Sequence, residues 1–418
     1  MENTSELLKL AEQVQNLTAS LVSHLSETNT PEPNFTPSSS EFPHTETYKD
    51  LRGKLNDAAQ DLLMLVNGAR IEAHLFALSH NDLGAYQFVF DYDLSHKIPE
   101  EGSISLPDLA SQIGVDEDRL GRMLRLLVSR RHFLEPEPGR FAHSSLTVLY
   151  ARDESIKAAG DYQTEEQFQA SSDVAKSFRN GKKSAFEERH GMTMFEYYKE
   201  NPSKGARFAS AMRGISKCTL ISLATELENG FPWGNLDENT KLVDIGGGSG
   251  HVSIALARTF PNLHVVVQDS NISMLEEVQK NQDLSDISSR FTWSNYDFFT
   301  PQPHVGAGAY LLRQIIHNWS DDDCVKILRA VVPALEKSPP GTPLLINDSI
   351  IPAYRSTSRF EEHALRQVDL LMMFSLGAKQ RTQGEFEELL KRADPRLQVI
   401  FYPMVNEWLL NYFADLVG

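Results

Sequence analysis

The segment Leu242–His251 reads LVDIGGGSGH: an apolar stretch runs into a glycine-rich loop and then into the start of a helix. Glycine is needed where the backbone takes a positive φ or closely approaches a ligand. The spacing of Gly246, Gly248 and Gly250 is GxGxG and not the GxGxxG of dinucleotide folds, and no Lys-Ser or Lys-Thr pair follows as in a P-loop. In a doubly wound sheet, the loop after the first strand faces the crevice where ligands bind. The segment therefore predicts a ligand-binding loop of an α/β domain.

Strand and helix signals alternate from residue 241 onward. Predicted strands occupy 242–246, 264–269, 291–297, 309–314, 343–349 and 397–403, with amphipathic helices between them. Such alternation builds a mostly parallel sheet with helices on both faces. A strongly apolar helix is also predicted within 360–379. We therefore predict a Rossmann-like, doubly wound α/β domain over 239–418.

Two carboxylates are predicted at the ends of neighbouring strands. Asp269 ends the second strand, 19 residues after Gly250, near the separation at which a carboxylate reaches ribose hydroxyls. Asp297 ends the third strand and could meet an adenine amine. A glycine loop alone is weak evidence, but the loop with two such carboxylates predicts a nucleoside pocket. The residues predicted to contact the ligand are Asp244, Gly246, Gly248, Asp269, Asp297 and Phe298.

The residues before 239 are predicted to be mainly helical. A helix at 5–27 and a Pro-, Ser- and Thr-rich linker at 29–44 form a segment 1–46, which either docks on another subunit or on the body of the protein, or is a partly ordered tail. One long helix is predicted over 47–80. Ser105 and Asp116 can cap two further helices, and a turn at 137–139 predicts a hairpin. These elements predict a winged helix in a domain 47–160, followed by a helical connector 161–238 that contributes to the substrate pocket.

A winged helix often binds DNA, and the second of these helices carries several arginines. However, leucines and a methionine fill much of the same helix, and the chain has a formal net charge of −17. A surface that follows phosphates is normally basic. We therefore favour a structural or dimerising winged helix and keep a DNA-binding regulator as an alternative.

The composition narrows the class of protein. At 418 residues, with 41% hydrophobic and 23% charged residues, two globular domains are expected. Cys218 and Cys324 have no CxxC companion, so we expect neither a disulfide framework nor a cysteine-based zinc site. No His/Asp/Glu cluster has metal-ligand spacing. No signal-peptide pattern and no apolar run of ~20 residues is present, and we expect a cytoplasmic protein without a membrane or nucleic-acid partner.

Four further motifs carry a specific resemblance. They are FEYYKENP with the following Met212, VDIGGGSG, IIHNWSDDDC, and AKQRT before a final helix. From about residue 50 onward, the sequence resembles the plant caffeic-acid-type O-methyltransferases and their fungal secondary-metabolism relatives. This resemblance implies an S-adenosylmethionine (SAM) cofactor, an N-terminal domain that forms a homodimer, and a small aromatic, polyketide or alkaloid-type substrate.

The resemblance also implies catalytic roles. His317 occupies the place of the histidine that removes the phenol proton, a task for which neutral imidazole is suited near pH 7. Arg313 stands where relatives use a basic residue to contact the cofactor. Two acidic residues commonly bracket the histidine; here the first position holds Asp348 and the second holds the uncharged Gln380. A neutral neighbour stabilises imidazolium less, so His317 is expected to be a weaker base, suited to an acidic phenol or an enol.

An alternative enzyme class stays open. Some fungal proteins with this fold hold SAM yet catalyse dehydration or a pericyclic reaction. In these proteins, positive charge near the substrate stabilises the charge that develops on a substrate oxygen. Arg313 and His143 could serve such chemistry. The presence of His317 favours methyl transfer, whereas the uncharged Gln380 favours the alternative. An apolar, adaptable substrate pocket is predicted from Met212, Met372, Met373 and Phe374, together with His143.

Overall fold

The computed structural model describes residues 5–218, 230–238, 240–281, 283–401 and 409–416. Their contacts divide the chain into two compact units. The first comprises the described residues of Met1–Ser172, Tyr198–Cys218 and Thr357–His363, and the second those of Asp173–Tyr197, Thr219–Ser356 and Ala364–Gly418. The boundaries predicted at 46, 160 and 238 stay predictions.

The helices and strands have the following bounds. The helices are α1 (Glu6–Glu27), α2 (Glu46–Asn67), α3 (Ala69–Leu78), α4 (His80–Asp91), α5 (Leu94–Lys97), α6 (Leu106–Ile113), α7 (Glu117–Ser129), α8 (Val148–Arg152), α9 (Glu154–Tyr162), α10 (Phe168–Ser171), α11 (Val174–Asn180), α12 (Ala185–His190), α13 (Met194–Glu200), α14 (Pro202–Cys218), α15 (His251–Thr259), α16 (Ile272–Asn281), α17 (Asp321–Leu335), α18 (Arg359–Leu376) and α19 (Gln383–Ala393). The strands are β1 (Ile104–Ser105), β2 (Phe133–Glu137), β3 (Arg140–His143), β4 (Thr240–Ile245), β5 (Leu263–Asp269), β6 (Phe291–Asn295), β7 (Ala309–Arg313), β8 (Leu344–Ser349), β9 (Leu397–Phe401) and β10 (Leu409–Leu416). A π-helical turn at Gln163–Gln167 joins α9 to α10, and a 3₁₀ turn at Ile316–Asn318 follows β7.

The N-terminal segment belongs to the first unit and packs within it. Helix α1 packs along α2, and the predicted linker is held by its backbone: the Phe35 carbonyl accepts the Ser145 N–H at 3.0 Å and the Pro37 carbonyl accepts from Arg152. The single long helix predicted over 47–80 is wrong. The chain breaks at Gly68, which has φ +74°, because a residue in that conformation cannot continue an α-helix.

The predicted helix caps of the first unit are confirmed. The side chain of Ser105 accepts the Asp108 N–H at the start of α6, and Asp116 accepts the Arg119 N–H at the start of α7. Gly114 ends α6 in the left-handed conformation. Strands β2 and β3 form the predicted hairpin, and β1 pairs with β3. These are the helices and strands predicted for the winged helix.

The second unit contains a seven-stranded sheet in the order β6-β5-β4-β7-β8-β10-β9. The first five strands of that order are parallel, which confirms the doubly wound prediction, and β10 is antiparallel to both β8 and β9. Strand β10 was not predicted from the sequence. Its insertion makes β9 a partner of β10 and not of β8.

Two apolar clusters cover the faces of this sheet. Side chains alternate between the faces of a strand, so Val243 of β4 enters one cluster and its neighbour Leu242 the other. Both are fully buried, as expected for a parallel sheet covered on both sides. The residues at the carboxyl ends of β4, β5, β7 and β8 therefore stand on a rigid support.

Within the described part of the chain, no single helix is long and apolar enough to cross a membrane. Two adjoining segments, Glu46–Asn67 and Ala69–Asp91, which meet at a 108° bend, pass the length and composition test only as a pair. Cys324 is a free, buried thiol, and the side chain of Cys218 lies outside the described residues.

Candidate active site

The glycine loop has the conformation that its composition predicts. Gly246, Gly248 and Gly250 have φ values of 73°, 59° and 64°, a region that residues with a side chain rarely adopt. Gly250 is the N-cap of α15. Gly247 has a different constraint: a Cβ there would lie 2.3 Å from Asp244 Oδ2. The loop is therefore packed tightly against the carboxylate of Asp244, the last residue but one of β4.

Asp244 is a buried carboxylate with one satisfied oxygen. Its Oδ2 accepts from the Ser253 hydroxyl at 2.7 Å, whereas its Oδ1 is buried without a hydrogen-bond partner. Burial raises the pKa of Asp244 to about 6, helped by the charge of Asp269 and opposed by Ser253 and Arg313. A buried acceptor left unsatisfied in the protein is expected to receive a donor from a ligand.

Asp269 ties the end of β5 to the glycine loop. Its Oδ2 accepts the Gly248 N–H at 3.1 Å and its Oδ1 accepts the Asn271 N–H at 2.8 Å. Burial raises its pKa, against these backbone hydrogen bonds. The side chain of Asp297 is exposed and accepts the Phe299 N–H at 3.0 Å. Asp269 therefore ends its strand as predicted and is half-buried, whereas Asp297 is exposed and lies two residues beyond the end of β6 at Asn295, and not at the end of a strand over 291–297.

Arg313 supplies buried donors. It ends β7, and its Nε and Nη2 are buried without hydrogen-bond partners. Burial lowers the pKa of its guanidinium, against the charges of Asp244 and Asp348. Unsatisfied donors on Arg313 and an unsatisfied acceptor on Asp244 fit a ligand that carries both a carboxylate and an ammonium or hydroxyl group.

His317 lies in the 3₁₀ turn after β7, and its side chain is buried, with 6% relative exposure of the residue. Gln314, just before the turn, has φ +53°, a conformation that costs about 1–3 kcal/mol and is concentrated at functional sites. The Nδ1 of His317 lies 2.8 Å from Gln380 Nε2 and 3.8 Å from Asp348 Oδ1. The structure therefore brings together the three residues predicted to be catalytic.

The pKa values of this cluster are displaced by burial. Burial, with the positive charges of Arg381 and Arg313, lowers the pKa of His317 to about 4, against hydrogen bonds with the Gln314 carbonyl and Gln380. Burial raises the pKa of Asp348 to about 8, against Arg381, Arg313 and two backbone N–H donors. At neutral pH the imidazole is therefore uncharged, and the Asp348 carboxyl is mostly protonated.

Arg381 was not among the site residues predicted from the sequence. It is fully buried, and its guanidinium donates to the carbonyls of Ile316 and Trp319, on either side of His317, and to the carboxylate of Asp321. The quoted AKQRT motif contains this arginine, and an arginine directly after a catalytic position was the available signal. Ser253, the donor to Asp244, was also missed.

The predicted substrate-pocket residues have mixed surroundings. In the first unit, Met212 is partly exposed, whereas His143 is buried, with both ring nitrogens within 3.1 Å of Thr147 Oγ1 or the backbone carbonyls of Ser95 and Ile98. These contacts give His143 a structural setting. Its pocket role stays a prediction.

The other predicted pocket residues lie on α18. Met372 is half-buried, and Met373 and Phe374 line a cavity of about 90 Å³ with residues of 174–185. Sites for drug-sized molecules usually measure about 300–1,000 Å³, so this cavity alone does not hold a ring system of that size. Among the described residues, no group of three or more His, Cys, Asp or Glu side chains could hold a metal ion.

A family profile and a curated relative both relate this chain to O-methyltransferases. A family profile described as an O-methyltransferase domain matches residues 172–394. The O-methyltransferase sol2 of Alternaria solani is 43% identical over 403 residues, which are 95% of this chain and 92% of the relative.

Solved structures share the fold. The mitomycin 7-O-methyltransferase MmcR has a TM-score of 0.70 and 23% identity, over 88% of this chain and 99% of its own. LepI, solved in complex with SAM, has a TM-score of 0.74 and 22% identity, over 97% of this chain and 100% of its own. At these identities the likeness shows the fold alone.

Proposed function

Because the chain belongs to the O-methyltransferase family, whose members use SAM, we propose that it methylates a phenolic or enolic hydroxyl of a small secondary metabolite, with His317 as the general base. The chain is a SAM-dependent O-methyltransferase by family. The type of hydroxyl, the base and the contacts below are proposed from the geometry.

The cofactor site is proposed from unsatisfied buried atoms. When bound, SAM supplies a methyl group on a positively charged sulfur. The glycine loop from Gly246 to Gly250, Asp244 and Arg313 surround a place where a buried acceptor and buried donors have no protein partner. An amino-acid moiety with its ammonium and carboxylate complements them. Asp269 and Asp297, with Phe298, are proposed to contact the nucleoside part.

The observation that carries the proposal is the environment of His317. A base must be deprotonated before it acts, and a pKa lowered to about 4 keeps the ring neutral at pH 7. The same low pKa makes His317 a weak base, since base strength follows pKa. We therefore propose that the substrate hydroxyl is acidic, as in an enol or a phenol conjugated to a carbonyl.

The orientation of the Gln380 amide sets which ring nitrogen carries the proton. With Nε2 of Gln380 facing Nδ1 of His317, the amide donates, so the ring proton lies on the other nitrogen, and Gln380 Oε1 is buried without a partner. A 180° rotation of the amide makes Oε1 accept from Nδ1–H. The Nε2 lone pair of His317 can then take a proton from the substrate, so the rotated amide is the orientation required for methyl transfer.

The test is an incubation of the full chain with SAM and a panel of phenolic and enolic polyketides and alkaloids. The expected product gains one methyl group with release of S-adenosylhomocysteine. His317→Ala is expected to lose general-base catalysis, a factor of about 10²–10⁴. The matched control is His304→Ala, because His304 precedes β7, near Lys241 at the amino end of β4, and burial also lowers its pKa. Methylation unchanged in His317→Ala would show that another group is the base.

A second candidate is a SAM-bound enzyme that catalyses dehydration or a pericyclic reaction. The specific observation in its favour is the uncharged Gln380 beside His317, together with the buried donors of Arg313, which can stabilise negative charge on a substrate oxygen. Such an enzyme would give a product without an added methyl group, and replacing SAM by S-adenosylhomocysteine would leave the rate unchanged.

We also propose that the first unit forms a homodimer. An apolar surface on the end of α2, on α3 and on the start of α4 is exposed, and α3 has no buried residue. Its members are Leu63, Met64, Leu65, Val66, Ile71, Leu75, Phe76, Leu78 and Leu83. Contiguous exposed apolar surface of this kind commonly marks a protein interface. Light scattering after size exclusion should give twice the chain mass for the wild type and less for Phe76→Glu; a monomeric wild type would contradict the proposal.

A cytoplasmic location stays a prediction.

A further inference from the structure

We propose that Arg381 is a positioning residue for His317: its guanidinium holds the turn that carries the imidazole by clamping the backbone on both sides of it. Nη1 donates to the Ile316 carbonyl at 2.9 Å, and Nη2 donates to the Trp319 carbonyl at 2.8 Å. These carbonyls precede and follow the His317–Asn318 dipeptide. The position of the turn is therefore held by the Arg381 side chain in addition to the hydrogen bonds within the turn itself.

Every nitrogen of the Arg381 guanidinium has a hydrogen-bond acceptor, and the side chain is anchored to a helix. Nε and Nη2 donate to Asp321 Oδ1 at 3.0 and 2.7 Å, and Nη1 also reaches the Lys379 carbonyl at 3.4 Å. Asp321 is the first residue of α17, so the guanidinium joins the turn to a helix N-terminus. All five N–H groups of an arginine can be engaged in this way, which the single ammonium of a lysine cannot reproduce.

The backbone of Arg381 connects the same parts. Its carbonyl accepts the Ile351 N–H at 3.0 Å, in a bridge to the chain that leaves β8 just after Asp348. The preceding residue, Gln380, contacts the ring of His317. One dipeptide therefore sets both the position of the turn and the partner of the imidazole.

Arg381 acts on His317 through its positive charge as well as through its hydrogen bonds to the turn. The charged or titratable groups near the imidazole include Arg381, Arg313 and Asp348, and both arginines lower the pKa of His317. The Asp321 carboxylate accepts from Arg381, and the Cys324 thiol donates to the Ile316 carbonyl. Since Asp348 is mostly protonated at neutral pH, it supplies little opposing charge. Removal of the Arg381 charge is expected to raise the pKa of His317 toward its unperturbed value of about 6.5.

This inference rests on the proposed function, in which His317 is the base, and two variants separate its parts. Arg381→Gln removes the charge and the clamp, whereas Arg381→Lys keeps the charge and loses the clamp. The matched control is Arg290→Lys, because Arg290 also donates to three backbone carbonyls, those of Ala257, Phe260 and Leu263, at the start of β6.

The first readout is the pKa of His317, measured by NMR titration of the full chain with labelled histidine; its signal among 13 histidines is identified by its loss in His317→Gln. We expect a raised pKa in Arg381→Gln, and an unchanged value in Arg381→Lys and Arg290→Lys. The titration needs no substrate, so it tests the effect of the Arg381 charge on His317 even if the wild type methylates nothing and the proposed function fails.

The second readout is kinetic. A misplacement of about 1 Å can cost about 100-fold in rate, so kcat should fall by that order in both Arg381 variants. KM for SAM should stay within about twofold, because binding of the cofactor is not removed. A folded Arg381→Gln with wild-type pKa of His317 and wild-type kcat overturns the proposal. If Arg381→Gln does not fold, Arg381→Lys and Asp321→Asn replace it, because both keep the Arg381 charge and weaken the clamp. Wild-type kcat in both folded variants also overturns the proposal.

Discussion

Replacing Gln380 by glutamate is expected to make His317 a stronger base. Gln380 is 4% exposed and lies 2.8 Å from Nδ1, so a carboxylate there would face the imidazole at hydrogen-bond distance. An opposite charge within ~4–6 Å typically shifts a pKa by about 1–3 units. The pKa of His317, about 4 in the wild type, should therefore rise to about 5–7.

The sign follows from the form that reacts. The base is active when neutral, so kcat/KM falls as the pH falls through the pKa of His317. The acid limb of the wild-type profile should lie near pH 4 and should move upward by about 1–3 units in Gln380→Glu. At pH 8, where both proteins are deprotonated at His317, the variant should methylate weakly acidic phenols faster, because the rate rises with base strength.

The assay is kcat/KM for methyl transfer from pH 4 to 9 with phenols of graded acidity. Gln302→Glu is the matched control: Gln302 is also 4% exposed, and it hydrogen-bonds Gln268 and not the histidine. The control should lose stability through a buried charge while its acid limb stays in place. A folded Gln380→Glu whose acid limb coincides with that of the wild type would refute the assigned contact between Gln380 and His317.

Two other substitutions test the site. Gly247→Ala places a Cβ 2.3 Å from Asp244 Oδ2 and should weaken SAM binding by at least about tenfold in calorimetry, a loss of about 1.4 kcal/mol, whereas Gly234→Ala, which has open space, should leave it unchanged. Asp348→Asn removes a buried carboxyl whose pKa is raised to about 8. Because the folded state binds this proton more tightly than the unfolded state, the free energy of unfolding of the wild type falls as pH rises from about 4 to 8. In urea titrations over that range, the free energy of unfolding of the variant should fall less. Equal losses in the two proteins would contradict the raised pKa.

Features set by local rules were predictable. The caps at Ser105 and Asp116 and the positive φ of Gly246, Gly248 and Gly250 follow from side chains and backbone preferences within a few residues. The parallel strands also followed from alternation along the chain. The break at Gly68 was missed because the apolar periodicity continues across it. Strand β10 was missed because its place between β8 and β9 depends on long-range pairing.

From the sequence alone it follows that a glycine loop comes after a buried strand, that acidic residues lie at or just after the ends of the next two strands, and that a histidine follows the fourth. The groups around that histidine, in contrast, are set by the packing of distant segments. Gln380 reaches His317 across 63 residues of sequence, and Asp348 and Arg381 approach it from other segments. The protonation states were also decided there: burial, which no local pattern specifies, lowers the pKa of His317 and raises that of Asp348.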